Sequence, residues 1–288
     1  MKNLSISFLW MACAAMAAAQ SNYCMPETVV GTYALAVQGT LIVPGAGGTT
    51  TIVPVARLGV ASIHMEGAIT YTAYNSQGGK VSQLNVPGVI RVNSDCTATV
   101  DWGQGITAAV NIKDEGKEMD SVMVTTGGSS AVISGTWRRI SRMPLTVAPN
   151  LCPPNAINGT YAFQSVGTVM MTVPGTSQPQ PVPLTTLGLG SADYSAGTIS
   201  ATATSSAGGQ MAPLAISLSG PFKLSPDCTG TIPWALSSQG KPMGQARHYV
   251  VVLDGGDELW GMELEMPLGP VTTLLTWKRI SPIPMEAK

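Results

Sequence analysis

Alternation of apolar and polar residues dominates the chain. Tyr33, Leu35 and Val37 fall on one side of an extended segment and Thr32, Ala34 and Ala36 on the other, which predicts a half-buried strand. Ala98, Val100 and Trp102 share a face opposite Thr97, Thr99 and Asp101, and Gly230, Ile232 and Trp234 repeat that face later. Gly or Pro interrupts the chain roughly every ten residues, and the segments between are rich in Thr, Val, Ser and Ile. Beyond the N-terminus no apolar stripe of helical period appears. The pattern predicts an all-β protein built from many short antiparallel strands.

That pattern occurs twice. A Cys seven residues before Gly-Thr-Tyr-Ala opens each copy, Cys24 before Gly31 and Cys152 before Gly159. Asp95–Trp102 (DCTATVDW) then answers to Asp227–Trp234 (DCTGTIPW), and Gly135–Pro144 (GTWRRISRMP) to Leu275–Pro284 (LTWKRISPIP). Three landmarks in one order mark a duplication: one copy over 24–144, a linker over 145–151 in a stretch, Met143–Leu151, that carries two prolines and no periodic pattern, and a second copy over 152–284. Weaker echoes pair Val53, Pro54, Leu58 and Gly59 with Val182, Pro183, Leu187 and Gly188, and Val122–Gly128 with Val250–Gly256. On that last match, 9 positions separate Gly128 from Trp137 but 21 separate Gly256 from Trp277. The first copy is therefore expected to lack one strand, the counterpart of Glu258–Met266.

The ends of the chain suggest its compartment. Lys2 precedes an apolar run from Leu4 to Ala19 that closes on three alanines, the form of a secretory signal peptide over 1–19 cleaved after Ala19. Lipidation at Cys13 is the competing reading, but Trp10, Met11 and Ala12 are a poor lead-in. No later stretch is long and apolar enough for a membrane helix. The protein is thus expected to be secreted, extracellular or in the periplasm or cell envelope. Four cysteines then remain, one at the start of each copy and one in each DCT landmark. The repeat pairs Cys24 with Cys96 and Cys152 with Cys228. With 11% charged residues and a net charge of −1, no basic face exists for a nucleic-acid backbone.

Copies of this size suit eight-stranded up-and-down barrels. Closure makes the first and last strands neighbours, which would bring Tyr33 to Arg139 and Tyr161 to Arg279, ring contacts worth about 0.5–2 kcal/mol. Gly-x-aromatic on the first strand with Arg on the last resembles the closing device of lipocalins and other calycin barrels, with Tyr33 and Tyr161 in place of the usual Trp. The order GTYA, the Val-Pro segment, DCTGT, VVLDGG and a terminal basic pair resembles an uncharacterised family of secreted bacterial β-barrel proteins. The chain departs from it where a Phe-Asp-Gly turn is usual, having Met65, Glu66 and Gly67 in one copy and Asp193, Tyr194 and Ser195 in the other. The resemblance implies a fold and no activity.

Reactive groups are few. His64 and His248 occupy non-equivalent positions and read as side chains facing solvent or bonded within a strand. No G-x-S-x-G elbow and no metal-spaced His pair occurs. Gly103, Gly105 and Ala108 form a G-x-G-x-x-A without the strand and helix that give it meaning. Asp254, Asp257, Glu258, Glu263 and Glu265 lack calcium-loop spacing and read as a polar hairpin, while Asp114, Glu115, Glu118 and Asp120, interleaved with Lys113 and Lys117, read as a solvated turn. Arg138-Arg139 and Lys278-Arg279 read as structural rather than anion-binding pairs. Asn158-Gly159-Thr160 is a glycosylation sequon in a eukaryotic secretory route. No catalytic, cofactor or metal residue is named, and no cofactor is expected.

The function expected is a non-catalytic binding module. It holds a small apolar ligand in a lumen whose mouth is flanked by Gly45–Thr51 and Pro174–Pro181, or it presents loops to a cell-surface component. A structural or adhesive envelope protein is one alternative. A barrel-lumen isomerase or cyclase is another, for which the sequence offers no acid–base pair.

Overall fold

The computed structural model describes residues 23–44, 49–126, 130–145, 152, 156–173, 175–176, 178–193, 196–219, 224–267 and 269–281. The expected signal segment with Cys13, Tyr194, Ser195, most of the linker and parts of both mouth segments lie outside them.

The first half forms β1 (Gly31–Pro44), β2 (Thr50–Ile63), β3 (Ala68–Gln77), β4 (Lys80–Val92), β5 (Thr97–Asp101), β6 (Ile106–Lys113), β7 (Glu118–Thr126) and β8 (Ser130–Ser141). The second forms β9 (Asn158–Thr172), β10 (Pro179–Asp193), β11 (Thr198–Ala207), β12 (Gln210–Ser219), β13 (Thr229–Ser238), β14 (Lys241–Leu253), β15 (Glu258–Glu265) and β16 (Val271–Ser281). Each set closes antiparallel into an up-and-down barrel, β1 pairing with β8 and β9 with β16. Closure leaves no strand edge to be capped.

The first copy is not short of a strand, because β7 is present and pairs with both β6 and β8. The expected gap came from matching Gly127-Gly128 to Gly255-Gly256. The structural counterpart of Asp254-Gly255-Gly256 is instead Asp114-Glu115-Gly116, a 3-10 turn in the same place. Both turns carry positive φ at all three residues, and Gly116 to Trp137 spans the same 21 positions as Gly256 to Trp277. Glu115 in the left-handed region hid the equivalence, since a sequence reading expects glycine there.

Alternation sends Tyr33, Leu35 and Val37 into the first lumen, yet Ala34 on the opposite face of β1 is also fully buried. The reason is the second barrel. Ala34, Ala56, Leu58 and Val60 of the first barrel share one apolar cluster with Tyr249, Val251, Leu253, Trp260, Met262 and Leu264 of the second. The outer faces of β2, β14 and β15 thus form a core between the barrels, and their sequences read as near-continuous apolar runs for that reason. Polar contacts border this core. The Ser76 hydroxyl donates to the Val271 carbonyl at 2.9 Å, and Arg138 pairs with Asp254 at 2.8 Å.

One end of the first barrel is plugged. Pro26–Val29 forms a 3-10 turn across it with Val29 buried, and a Cys24–Cys96 disulfide ties that turn to the loop before β5. Such a bond fits an oxidising compartment. Among the described residues, no helix is long and apolar enough to cross a membrane.

Candidate functional sites in the two lumens

Tyr33 and Arg139 meet at the plugged end. Arg139 Nε and Nη2 donate to the Tyr33 hydroxyl at 2.9 and 2.7 Å, the guanidinium lies 5.3 Å from the ring centroid, and the hydroxyl donates to the Gly116 carbonyl at 2.9 Å. Tyr161 and Arg279 repeat this with Gly256: the hydroxyl donates at 2.9 Å and the guanidinium sits 5.7 Å from the ring. Burial pushes both phenols above their ordinary pKa while the arginine beside each pulls the other way. The two glycines belong to the same device. A Cβ at Gly116 would lie 2.2 Å from the Thr28 carbonyl oxygen and one at Gly256 1.4 Å from that of Ala156, so no side chain fits under the arginine.

Above the plug the first lumen is open. A cavity of about 500 Å³ is lined by Leu35, Val37, Tyr71, Trp102, Ile133 and Trp137 among others. Its floor is aromatic: Trp102 stacks on Trp137 at 6.0 Å and 12°, Tyr33 meets Trp137 edge-on at 6.3 Å, and the Trp137 indole donates to Ser121 Oγ at 3.1 Å. On the wall stands Arg57, brought inward because β2 sets it opposite Val37. Its Nε donates to Asn75 Oδ1 at 2.8 Å. Burial draws its pKa below the usual arginine value, and the nearest opposing influence is the Tyr71 phenol rather than a carboxylate. Arginine keeps its charge in any such setting, so this cavity combines an apolar body with one half-buried cation.

The same positions in the second barrel carry different chemistry. Register places Ser165 opposite Thr186 and Thr186 opposite Ser205, as Val37 is opposite Arg57 and Arg57 opposite Asn75. His248 faces Glu263 beside a register shift between β14 and β15, as Ala108 faces Met123 beside one between β6 and β7. His248 and Glu263 are 4% and 5% exposed with Nε2 and Oε1 3.5 Å apart. The histidine ring meets Trp234 edge-on at 5.3 Å. Sequence reasoning passed over this pair, because Glu263 sits in an acidic-looking stretch whose other members pair with arginines. The signal available was period: from Leu259, the inward residues of β15 are Gly261 and Glu263.

The remaining acids of that stretch are drawn to arginines: Asp257 pairs with Arg279 at 3.0 Å, Asp254 and Glu258 with Arg138, and Glu265 with Arg247. Among the described residues no three His, Cys, Asp or Glu side chains are placed to hold a metal. His64 lies at the β2–β3 turn, its backbone bonded to Ala68 and Gly67. Gly103 and Gly105 shape the β5–β6 turn with φ of +75° each. The expected bond between Cys152 and Cys228 is not formed in the structure, where the two are thiols, their mutual influence lowering the Cys152 pKa and raising that of Cys228.

No protein-family model matches the chain, and no curated protein matches it. Two solved structures are similar in outline. An AttH candidate from Nitrosomonas europaea matches over 86% of this chain and 92% of its own at 9% identity and a TM-score of 0.27. A double mutant of transferrin binding protein B from Haemophilus parasuis matches over 85% of this chain and 74% of its own at 6% identity and a TM-score of 0.30. Scores this low lend nothing to function, which rests on the chain's own geometry.

Proposed function

We propose that the protein is a non-catalytic binding module whose first barrel holds an amphipathic anion, an apolar body on the Trp102–Trp137 floor and an anionic head on Arg57. The observation that carries this reading is the cavity of about 500 Å³ with Arg57 in its wall. That volume lies in the range of small-ligand sites, roughly 300–1,000 Å³, which combine apolar walls with few placed polar groups. Arg57 is partly buried and has no carboxylate partner among the described residues, so an anionic head would meet an unneutralised charge there. Export through an oxidising compartment, after removal of residues 1–19, would put such a carrier outside the cytoplasm.

Displacement of a lumen-bound hydrophobic fluorophore tests it. Dodecanoate is expected to displace the dye more strongly than dodecanol, and Arg57→Gln to weaken dodecanoate by roughly tenfold or more while sparing dodecanol, since a charge-assisted bond is worth about 1.5–3 kcal/mol. Equal potency of acid and alcohol would remove Arg57 from the reading. No dye uptake by the purified, ligand-stripped protein would remove the apolar site itself.

A further inference from the structure

The second lumen contains a belt of buried polar atoms that no described residue satisfies. Ser165 Oγ, Trp234 Nε1, both ring nitrogens of His248, Glu263 Oε2 and Thr273 Oγ1 have no hydrogen-bond partner among the described residues. Ser165 and Thr273 are 1% and 0% exposed. Register puts all of them on the inward face. Ser165 lies opposite Leu275, and Thr273 opposite Gly167 one step along. Gly261 lies opposite Leu275 as well, which brings Glu263 level with Thr273. Thr186 and Ser205 continue the belt around the wall, bonded to each other at 3.1 Å.

The belt lies between two apolar layers. Phe163 and Trp234 stack on Trp277 below it at 4.4 and 5.7 Å, and Val169, Leu184 and Val271 form a cluster above. Each buried polar group left unpaired costs about 1–3 kcal/mol, and the first barrel shows that this scaffold accepts Val37, Ala108, Met123 and Ile133 at the matching positions. The polar set therefore needs an occupant to offset it.

We propose that the second barrel binds a small organic amine bearing a neighbouring hydrogen-bond acceptor, of the amino-alcohol class. The Glu263 carboxylate accepts from the ammonium, with the Thr273 and Ser165 hydroxyls taking its other N–H groups, and the Trp234 indole donates to the acceptor. His248, 3.5 Å from Glu263, bonds the acceptor as well and fixes the carboxylate. The charge in this belt is opposite to that of Arg57 at the matching level of the first barrel, so the duplicated lumens select heads of opposite sign. A metal ion fits poorly, since His248 and Glu263 are two ligands and no group of three is placed for one among the described residues.

The test uses the full chain and 2-aminoethanol, with 1,2-propanediol and acetate as comparators, followed through the His248 ring resonances and the thermal midpoint. Saturable shifts with the amine, absent with both comparators and weakened about tenfold or more by Glu263→Gln, are the expected result. The double variant His248→Ala/Glu263→Met copies the first barrel's Ala108 and Met123, so it keeps the fold and is expected to lose the response. A wild-type protein whose His248 resonances ignore the amine, or an amine response that survives in the folded double variant, overturns the proposal and leaves the belt to water alone. Neither result touches the dodecanoate assay, which reports on the first barrel.

Discussion

Leu58→Asp is expected to split the thermal unfolding of the protein from one transition into two and to destabilise the first barrel by on the order of 5 kcal/mol. Leu58 is wholly buried, but not in a lumen. It lies on the outer face of β2, in the cluster that Ala56 and Val60 share with Val251, Trp260 and Met262. Truncating such a residue costs about 2–5 kcal/mol through lost burial and the cavity left behind. A carboxylate adds a charge with no cation in that cluster to meet it. The damage is confined to the core between the barrels, so each lumen keeps its own aromatic floor. Differential scanning calorimetry reads the result. A single transition within a degree or so of wild type would mean that the outer faces touch without stabilising one another.

Cys24→Ser with Cys96→Ser is expected to lower the stability of the first barrel by about 4 kcal/mol, or the thermal midpoint by roughly 10 °C. The bond closes a loop with a sequence separation of 72, and most of that effect comes from the freedom the unfolded chain regains. There is a local consequence too. The segment that carries Val29 across the barrel end, and whose Thr28 carbonyl accepts from Arg139, is anchored by Cys24. Hydrogen exchange should therefore show Pro26–Val29 and the Tyr33–Arg139 contact opening before the rest of the barrel. Unchanged exchange there would put the plug's stability in Val29 packing alone. Cys152 and Cys228 hold the equivalent place, and protein recovered from an oxidising compartment is expected to yield no titratable thiol from them, with a similar loss on replacing both.

Much of the architecture was legible in the sequence because closed barrels repeat simple rules. Period-two alternation around Tyr33, Leu35 and Val37 marks an inward face whatever the neighbour, and the duplicated GTYA, DCT and Trp-basic landmarks fall at equivalent points of the two barrels. Failures came where the local signal was ambiguous or where the deciding contact was distant. Glu115 at positive φ disguised a turn that its counterpart makes with Gly255, and so a complete first barrel looked short of a strand. The core between the barrels was illegible because Ala34 and Leu58 owe their burial to residues some 200 positions away, and alternation assigns them to solvent. His248 and Glu263 lie 15 positions apart with a turn between them, and the register of that hairpin decides that they face each other. Arg57 reads as an ordinary surface charge until its register with Val37 is known.

The claim on which the functional account stands is that the first lumen is an accessible chamber for one amphipathic molecule. Native mass spectrometry of the stripped full chain with dodecanoate, beside an Ala108→Phe variant whose ring fills the space above Trp137, measures it directly. One dodecanoate per wild-type chain and none on the folded variant is the predicted result. Equal occupancy of both proteins would place the ligand elsewhere and contradict it.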